Sequence, residues 1–198
     1  DIKEILKKDD FIEDLFAGFK RDYGKNISES KVDLVVGGPP CQGFSGIGIR
    51  RSYSVKKKQL PSNHLFQDMA YFIHRVRPKI FLFENVEGLL NSRWTKEGSK
   101  GEIFDEVKSA FSSIEGYNVK FKLIHAKDYG VPQNRPRVLM VGIREELITK
   151  PIEIDPIISG FLPQTTNDYP HITEVLSDLI DKDFVYGEDT KLYPFDPH

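Results

Sequence analysis

Three kinds of side chain in this sequence could act together on a substrate: a cysteine, Cys41, a glutamate, Glu84, and two arginines, Arg135 and Arg137, on either side of Pro136. Cys41 is the only cysteine in the chain and stands in the run Pro39-Pro40-Cys41-Gln42-Gly43. Two prolines deny the backbone a continuing strand or a place inside a helix, so the thiol is expected on a rigid turn whose free N–H groups favour a thiolate. A thiolate is a nucleophile, a carboxyl group gives or takes a proton, and a fixed guanidinium stabilises charge that develops during a reaction. Each residue also has an ordinary reading. A lone cysteine can be a small core hydrophobe, a glutamate after a strand can be a solvated turn residue, and an Arg-x-Arg pair can be two cations on a surface loop.

The elements around these residues favour the chemical reading. Val32 to Val36 is a short β-branched apolar run closed by Gly37, Gly38, Pro39 and Pro40, and it predicts a buried strand that stops just before Cys41. Leu65, Phe66, Met69, Phe72, Ile73 and Val76 repeat at helical spacing, with Ser62 as N-cap and Pro78 as terminator. Lys79 to Phe83 is a second apolar run that delivers Glu84 and Asn85 at its end. Strand, helix, strand predicts a βαβ unit, and neighbouring parallel strands would bring Cys41 and Glu84 to one edge of the sheet, where ligands of open α/β folds gather.

An amphipathic helix is expected between Asp9 and Gly24, from Phe11, Ile12, Leu15, Phe16 and Phe19, and another over Ile103, Phe104, Val107, Phe111 and Ile114. Glu87 to Gly101, polar and glycine-rich around Trp94, is expected to be a surface excursion. Val119 to Leu123 alternates with lysines, as an edge or antiparallel strand would, and Val138 to Ile143 is a further strand just after the two arginines. The remainder is proline-spaced, with one short helix candidate at Ile172 to Ile180.

Composition sets the outer limits. The 198 residues are 39% hydrophobic and 12% aromatic, enough for one sizeable core, and the single cysteine excludes an internal disulfide framework. No apolar run is long enough to span a bilayer, so no membrane partner is expected and a cytoplasmic location is. The five histidines lack metal-ligand spacing, and no metal site is expected. Gly43, Gly46 and Gly48 match a dinucleotide fingerprint only loosely. The net charge of −2 argues against a globally basic nucleic-acid binder, yet Phe44 to Gln67 holds Arg50, Arg51, Lys56, Lys57 and Lys58 without an acidic residue. On charge alone this basic loop is a solvated loop or a phosphate-binding one.

Pro-Pro-Cys-Gln-Gly-Phe-Ser at 39–45, Glu-Asn-Val at 84–86 and Gln-Asn-Arg-Pro-Arg at 133–137, in that order, resemble the motif series of the cytosine-5 DNA methyltransferases. Asn63-His64-Leu65-Phe66 and Pro78-Lys79 are similar to the family's intervening segment, so the resemblance covers residues 1 to 145. It implies a Rossmann-like α/β methyltransferase fold, a mostly parallel sheet with flanking helices, truncated at both ends. The implied division is a partial catalytic domain over 1–148 and a connector over 149–198. S-adenosylmethionine is the implied cofactor and double-stranded DNA the implied partner, in a restriction-modification setting and with a monomeric protein.

Under the resemblance Cys41 adds to C6 of cytosine, Glu84 serves N3, Arg137 lies at O2 and Arg135 holds the acid in place. Gln42, Ser45, Arg50, Arg51, Lys56, Lys57 and Lys58 would contact DNA, which resolves the basic loop toward phosphates and toward a base flipped from the duplex. Cofactor contacts would fall to Asp1, Ile2, Pro40 and Leu65. The family's glycine-rich cofactor motif has no counterpart within the chain, which opens on Asp1 rather than methionine; a fragment is expected, with weak cofactor binding of its own. Three alternatives stay open: a relative acting on tRNA, a catalytically inactive DNA-binding fragment, and a cysteine hydrolase using His64 or His125.

Overall fold

The computed structural model describes residues 11–24, 32–40, 61–95, 97–149, 155–166, 168 and 170–179. They fall in two compact units, one holding the residues up to His125 together with 136–164, the other holding 126–135 and those from 165 onward.

The first unit is an open α/β layer. Helix α1, Phe11–Tyr23, carries Glu13 and Asp14 in its first turn and Lys20 and Arg21 in its last, matching the helix dipole. Strand β1, Leu34–Gly37, follows. Helix α2, Leu65–Val76, buries Phe66, Ala70, Ile73 and Val76 at helical spacing. Ser62 is not its N-cap: it lies inside a 3₁₀ turn, Pro61–His64, that already supplies the first hydrogen-bonded turn. The helix closes on Arg77 in the left-handed region, φ 55°, whose guanidinium bonds the Glu115 carbonyl and stands 5.3 Å over the Tyr117 ring. These contacts offset the cost of that backbone conformation.

Strand β2, Ile80–Val86, is longer than its apolar run, so Glu84 and Asn85 belong to the strand instead of following it. Helix α3, Glu102–Ser112, packs Ile103, Phe104, Val107 and Phe111 into the core, and strands β3, Tyr117–His125, and β4, Pro136–Arg144, complete the sheet. The strand order is β1-β2-β4-β3. β1 and β2 are parallel neighbours, while β4 runs antiparallel to both β2 and β3. β4 thus reverses direction inside a sheet whose other strands share one direction, and β3 is the edge strand its lysine alternation predicts.

One face of the sheet holds the main core, in which Phe81, Phe83, Phe111, Ile103, Val138 and Met140 are fully buried. Phe81 lies across Gly142, its register partner on β4, so closely that a Cβ there would overlap the Phe81 ring. The other face is covered in part by Phe161 and Leu162, which pack with Val141, Ile80 and Leu82. That segment is tied to β3 by Lys122, 2.6 Å from Asp155, whose other oxygen accepts the Ile157 N–H. These bonds, the Lys122 one foremost, hold the Asp155 carboxyl below its ordinary value.

Glu87 to Gly101 is not a surface excursion throughout, because Leu89 and Trp94 are buried in it. A buried indole needs a partner for its N–H, and Glu106 of α3 provides one at 2.7 Å while His64 stacks on the ring at 5.2 Å.

In the second unit, 126–135 is a string of tight turns, joined to Thr166 through its N–H to the Asp128 carbonyl at 2.7 Å. The expected helix at 172–180 is realised as a single turn, α4, Ile172–Val175, followed by a 3₁₀ turn at Ser177–Leu179.

Candidate active site

The parallel pairing of β1 with β2 aligns Gly37 with Phe83, so both strands end at the same edge of the sheet. Beyond β1 the chain runs through Gly38, Pro39 and Pro40, and Cys41 comes next in sequence. Side chains alternate along β2: Phe81, Phe83 and Asn85 are buried, and Glu84 turns to the opposite face, its side chain 40% exposed.

On β4, Leu139 pairs with Glu84 and Arg137 with Val86. Arg137 is two residues along from Leu139 and therefore shares the face of Glu84, as a diagonal neighbour. Its Nε lies 2.6 Å from Glu84 Oε1, and its Nη1 donates to the Pro136 carbonyl at 2.7 Å. The Arg137 side chain is only 19% exposed. This is a charge-assisted contact, partly withdrawn from water, with its carboxylate side still open to a ligand.

Gly38 completes the arrangement. A Cβ at this position would sit 3.0 Å from Glu84 Oε2, so the carboxylate lies directly against the backbone of the turn that leads to Cys41. A bulkier residue would displace either the carboxylate or the turn. Behind them, Asn85 is 4% exposed and donates from Nδ2 to the Pro39 carbonyl at 3.0 Å.

The structure therefore brings Glu84 and Arg137 together beside the Gly38-Pro39-Pro40 turn. Among the described residues the ion pair to the acid comes from Arg137; Arg135, which the resemblance gives the task of holding the acid and nearby backbone in place, is an exposed residue of the second unit, its N–H bonded to the Gln133 carbonyl at 3.0 Å. Of the residues considered for a cofactor, Pro40 is exposed just past β1 and Leu65 is the half-buried first residue of α2. Cys41, Gln42, Ser45, Arg50, Arg51, Lys56, Lys57, Lys58, Asp1 and Ile2 lie outside the described residues. Among the described residues no group of three or more histidine, cysteine or acidic side chains is placed to hold a metal ion, and no helix is long and apolar enough to cross a membrane.

Sequence reasoning passes over Asn85 as a site residue, although a signal is present. The strand period assigns position 85 to the core face after Phe81 and Phe83, and a carboxamide at a core position must have bonds to make there.

The family model described as C-5 cytosine-specific DNA methylase matches residues 11–194. Among curated relatives, the Type II methyltransferase M.DdeI of Desulfomicrobium norvegicum is 34% identical over 177 residues, covering 86% of this chain and 38% of its own length. The Type II methyltransferase M.Bpa9945I of Bacillus paralicheniformis is also 34% identical over 177 residues, covering 84% of this chain and 36% of its own. The chain thus spans well under half the length of these relatives. Among solved structures, a putative DNA modification methyltransferase encoded within a prophage, from E. coli, superposes with a TM-score of 0.55 at 23% identity, covering 83% of this chain and 38% of that one, which supports the fold.

Proposed function

Because the chain belongs to the C-5 cytosine-specific DNA methylase family, matched over residues 11–194, we propose that its activity is methyl transfer from S-adenosylmethionine to C5 of cytosine in double-stranded DNA. The observation that carries this reading is the Glu84–Arg137 pair set against the Gly38-Pro39-Pro40 turn. The curated relatives named Type II methyltransferases support a role in restriction-modification.

The chemistry requires these groups. C5 of cytosine is a poor nucleophile until something adds to C6, so Cys41, as a thiolate, forms a bond to C6 and pushes an electron pair toward N3. Glu84 gives N3 a hydrogen bond or proton as that charge arrives, and the Arg137 guanidinium stabilises charge on the neighbouring O2. The resulting C5 enamine would attack the methyl carbon that bound S-adenosylmethionine supplies, the methyl–sulfur bond breaking with S-adenosylhomocysteine as the leaving group; loss of the C5 proton to a base then expels Cys41 and restores the ring. A stacked base cannot be approached in this way, and DNA methyltransferases as a class extrude the target nucleotide from the duplex. The cations Arg50, Arg51, Lys56, Lys57 and Lys58, with Gln42 and Ser45, supply contacts to the phosphates and to the opened stack.

The cofactor, when bound, supplies an electrophilic methyl group. Pro40 and Leu65 are apolar, which suits them to its adenosyl portion and to the carbons flanking its sulfonium sulfur. Asp1 and Ile2 complete the set taken from the family resemblance, and polar contacts to the ribose and carboxylate are left to groups other than Pro40 and Leu65.

The test is to incubate the complete protein with methyl-labelled cofactor and duplex DNA and digest the product to nucleosides. Label in 5-methylcytosine is expected. Label in a ring-amino product, or in transfer RNA in place of DNA, contradicts the reading.

A further inference from the structure

We propose that Asn85 is a positioning residue for the reaction of Cys41, its carboxamide fastening the Pro39 carbonyl of the backbone that leads in sequence to the nucleophile. The inference rests on the methyltransferase reading for the role of Cys41 and goes beyond it in assigning Asn85 a task.

Asn85 is 4% exposed and lies at the end of β2, next to the acid but on the opposite face of the strand. Its Oδ1 accepts the N–H of Val86 at 2.9 Å, and its Nδ2 donates to the Pro39 carbonyl at 3.0 Å. The first bond fixes which way the amide points, because only the oxygen can accept from Val86. The second is then a donor aimed at a peptide unit that ordinary sheet pairing does not reach. The ladder between β1 and β2 ends at Gly37 and Phe83. Two prolines follow in sequence, neither with an N–H of its own to give.

A side chain that crosses from β2 to the turn does what the ladder no longer does. Because Asn85 and Glu84 are consecutive residues, a single strand holds the acid and the anchor for the nucleophile's turn, and a shift of one carries the other. Positioning of this kind is expected to act on the rate of the covalent step and little on ligand affinity, since an error near 1 Å in a reacting group costs up to about a hundredfold in rate.

Asn85→Asp isolates the donor. It keeps the shape and the acceptor for Val86 but places an oxygen lone pair against the Pro39 carbonyl. Burial raises the pKa of such a carboxyl, and below that value its O–H can donate to Pro39. The charged groups beside it, Glu84 on β2 and Arg137 on β4, are present in wild type and both variants, and Asn85→Ala, which adds no charge beside them, is the control for their own titration. Asn85→Ala removes the anchor altogether.

The experiment measures, in the complete protein, the single-turnover rate of covalent adduct formation with duplex DNA carrying 5-fluorocytosine, per competent site, from pH 5.5 to 8.5. DNA affinity and melting temperature are recorded alongside. At pH 8 both variants are expected to form adduct at least about tenfold more slowly, with DNA affinity within a few-fold. The ratio of Asn85→Asp to wild type is expected to rise as pH falls, while that of Asn85→Ala stays flat. Equal per-site rates in all three proteins overturn the proposal, as does a slow Asn85→Asp whose ratio is independent of pH. Absence of adduct in the wild type defeats the methyltransferase reading itself, and the proposal with it.

Discussion

Replacing Arg137 by methionine keeps most of the aliphatic volume of a side chain that is only 19% exposed and removes the guanidinium 2.6 Å from Glu84. Two losses follow, of different size. The ground-state loss is one charge-assisted bond to Glu84, whose side chain is 40% exposed, and the donor to the Pro136 carbonyl. Such bonds contribute about 1.5–3 kcal/mol when well buried and less when one partner meets water, so about 1 kcal/mol is expected here, a fall in melting temperature of about 2–4 °C. The transition-state loss is larger, because removing one preorganised donor from a developing charge costs about 10² to 10³ in rate, or about 2.7–4 kcal/mol. Lysine at this position restores charge but not the planar fork that bonds Glu84 and the Pro136 carbonyl together, and should recover only part of the rate. The assay is one duplex-binding isotherm, one single-turnover methylation trace and one melting curve for each variant of the complete protein. A variant that loses DNA affinity with its rate intact, or loses rate only in proportion to its folded fraction, refutes the assignment of Arg137 to the reacting base.

Neutralising Arg50, Arg51, Lys56, Lys57 and Lys58 should weaken DNA binding across sequences and flatten the plot of log affinity against log salt by about 0.9 for each phosphate no longer neutralised; an unchanged slope in a salt titration removes them from the DNA surface. Gly142→Ala should destabilise the protein by about 1–3 kcal/mol in denaturant titration, as overpacking does, because its Cβ would overlap the buried Phe81 ring; an unchanged midpoint would show that the ring has room to move. Asp155, whose carboxyl is lowered in the folded protein from an ordinary 3.8, stabilises the fold above that value. Its contribution should fade as pH falls from about 3.8 through the lower folded value, and Asp155→Asn should lose that part of the acid sensitivity in pH-dependent melting.

Much of the fold is legible in the sequence because its signals are local. The spacing of Phe66, Ile73 and Val76 marks a helix face, and the alternation at 119–123 marks the edge strand of the sheet, although its exposed residue is Phe121 and Lys120 and Lys122 are half-buried. The resemblance places Glu84 and Arg137 in one site, and β4 brings them into contact. Three features are hidden because they depend on partners distant in sequence. The strand that ends in Glu84-Asn85-Val86 is held to its full length by pairing with 137–139, which the polar composition of 84–85 conceals. Trp94 reads as exposed amid polar neighbours and is buried because Glu106 and His64 meet it from elsewhere. The contact to the acid comes from Arg137 by strand register, a two-residue offset that no reading of Arg-Pro-Arg alone can resolve.

The central claim is that Cys41 makes the covalent bond on which the Glu84–Arg137 pair acts. Its most direct measurement is denaturing electrophoresis of the complete protein, incubated with cofactor and labelled duplex DNA carrying 5-fluorocytosine, followed by mass mapping of the linked peptide. The account predicts a stable adduct on the peptide containing Cys41, absent in Cys41→Ser, together with loss of methyl transfer to ordinary DNA in that variant. An adduct on any other residue, or methylation by Cys41→Ser at near the wild-type rate, contradicts it.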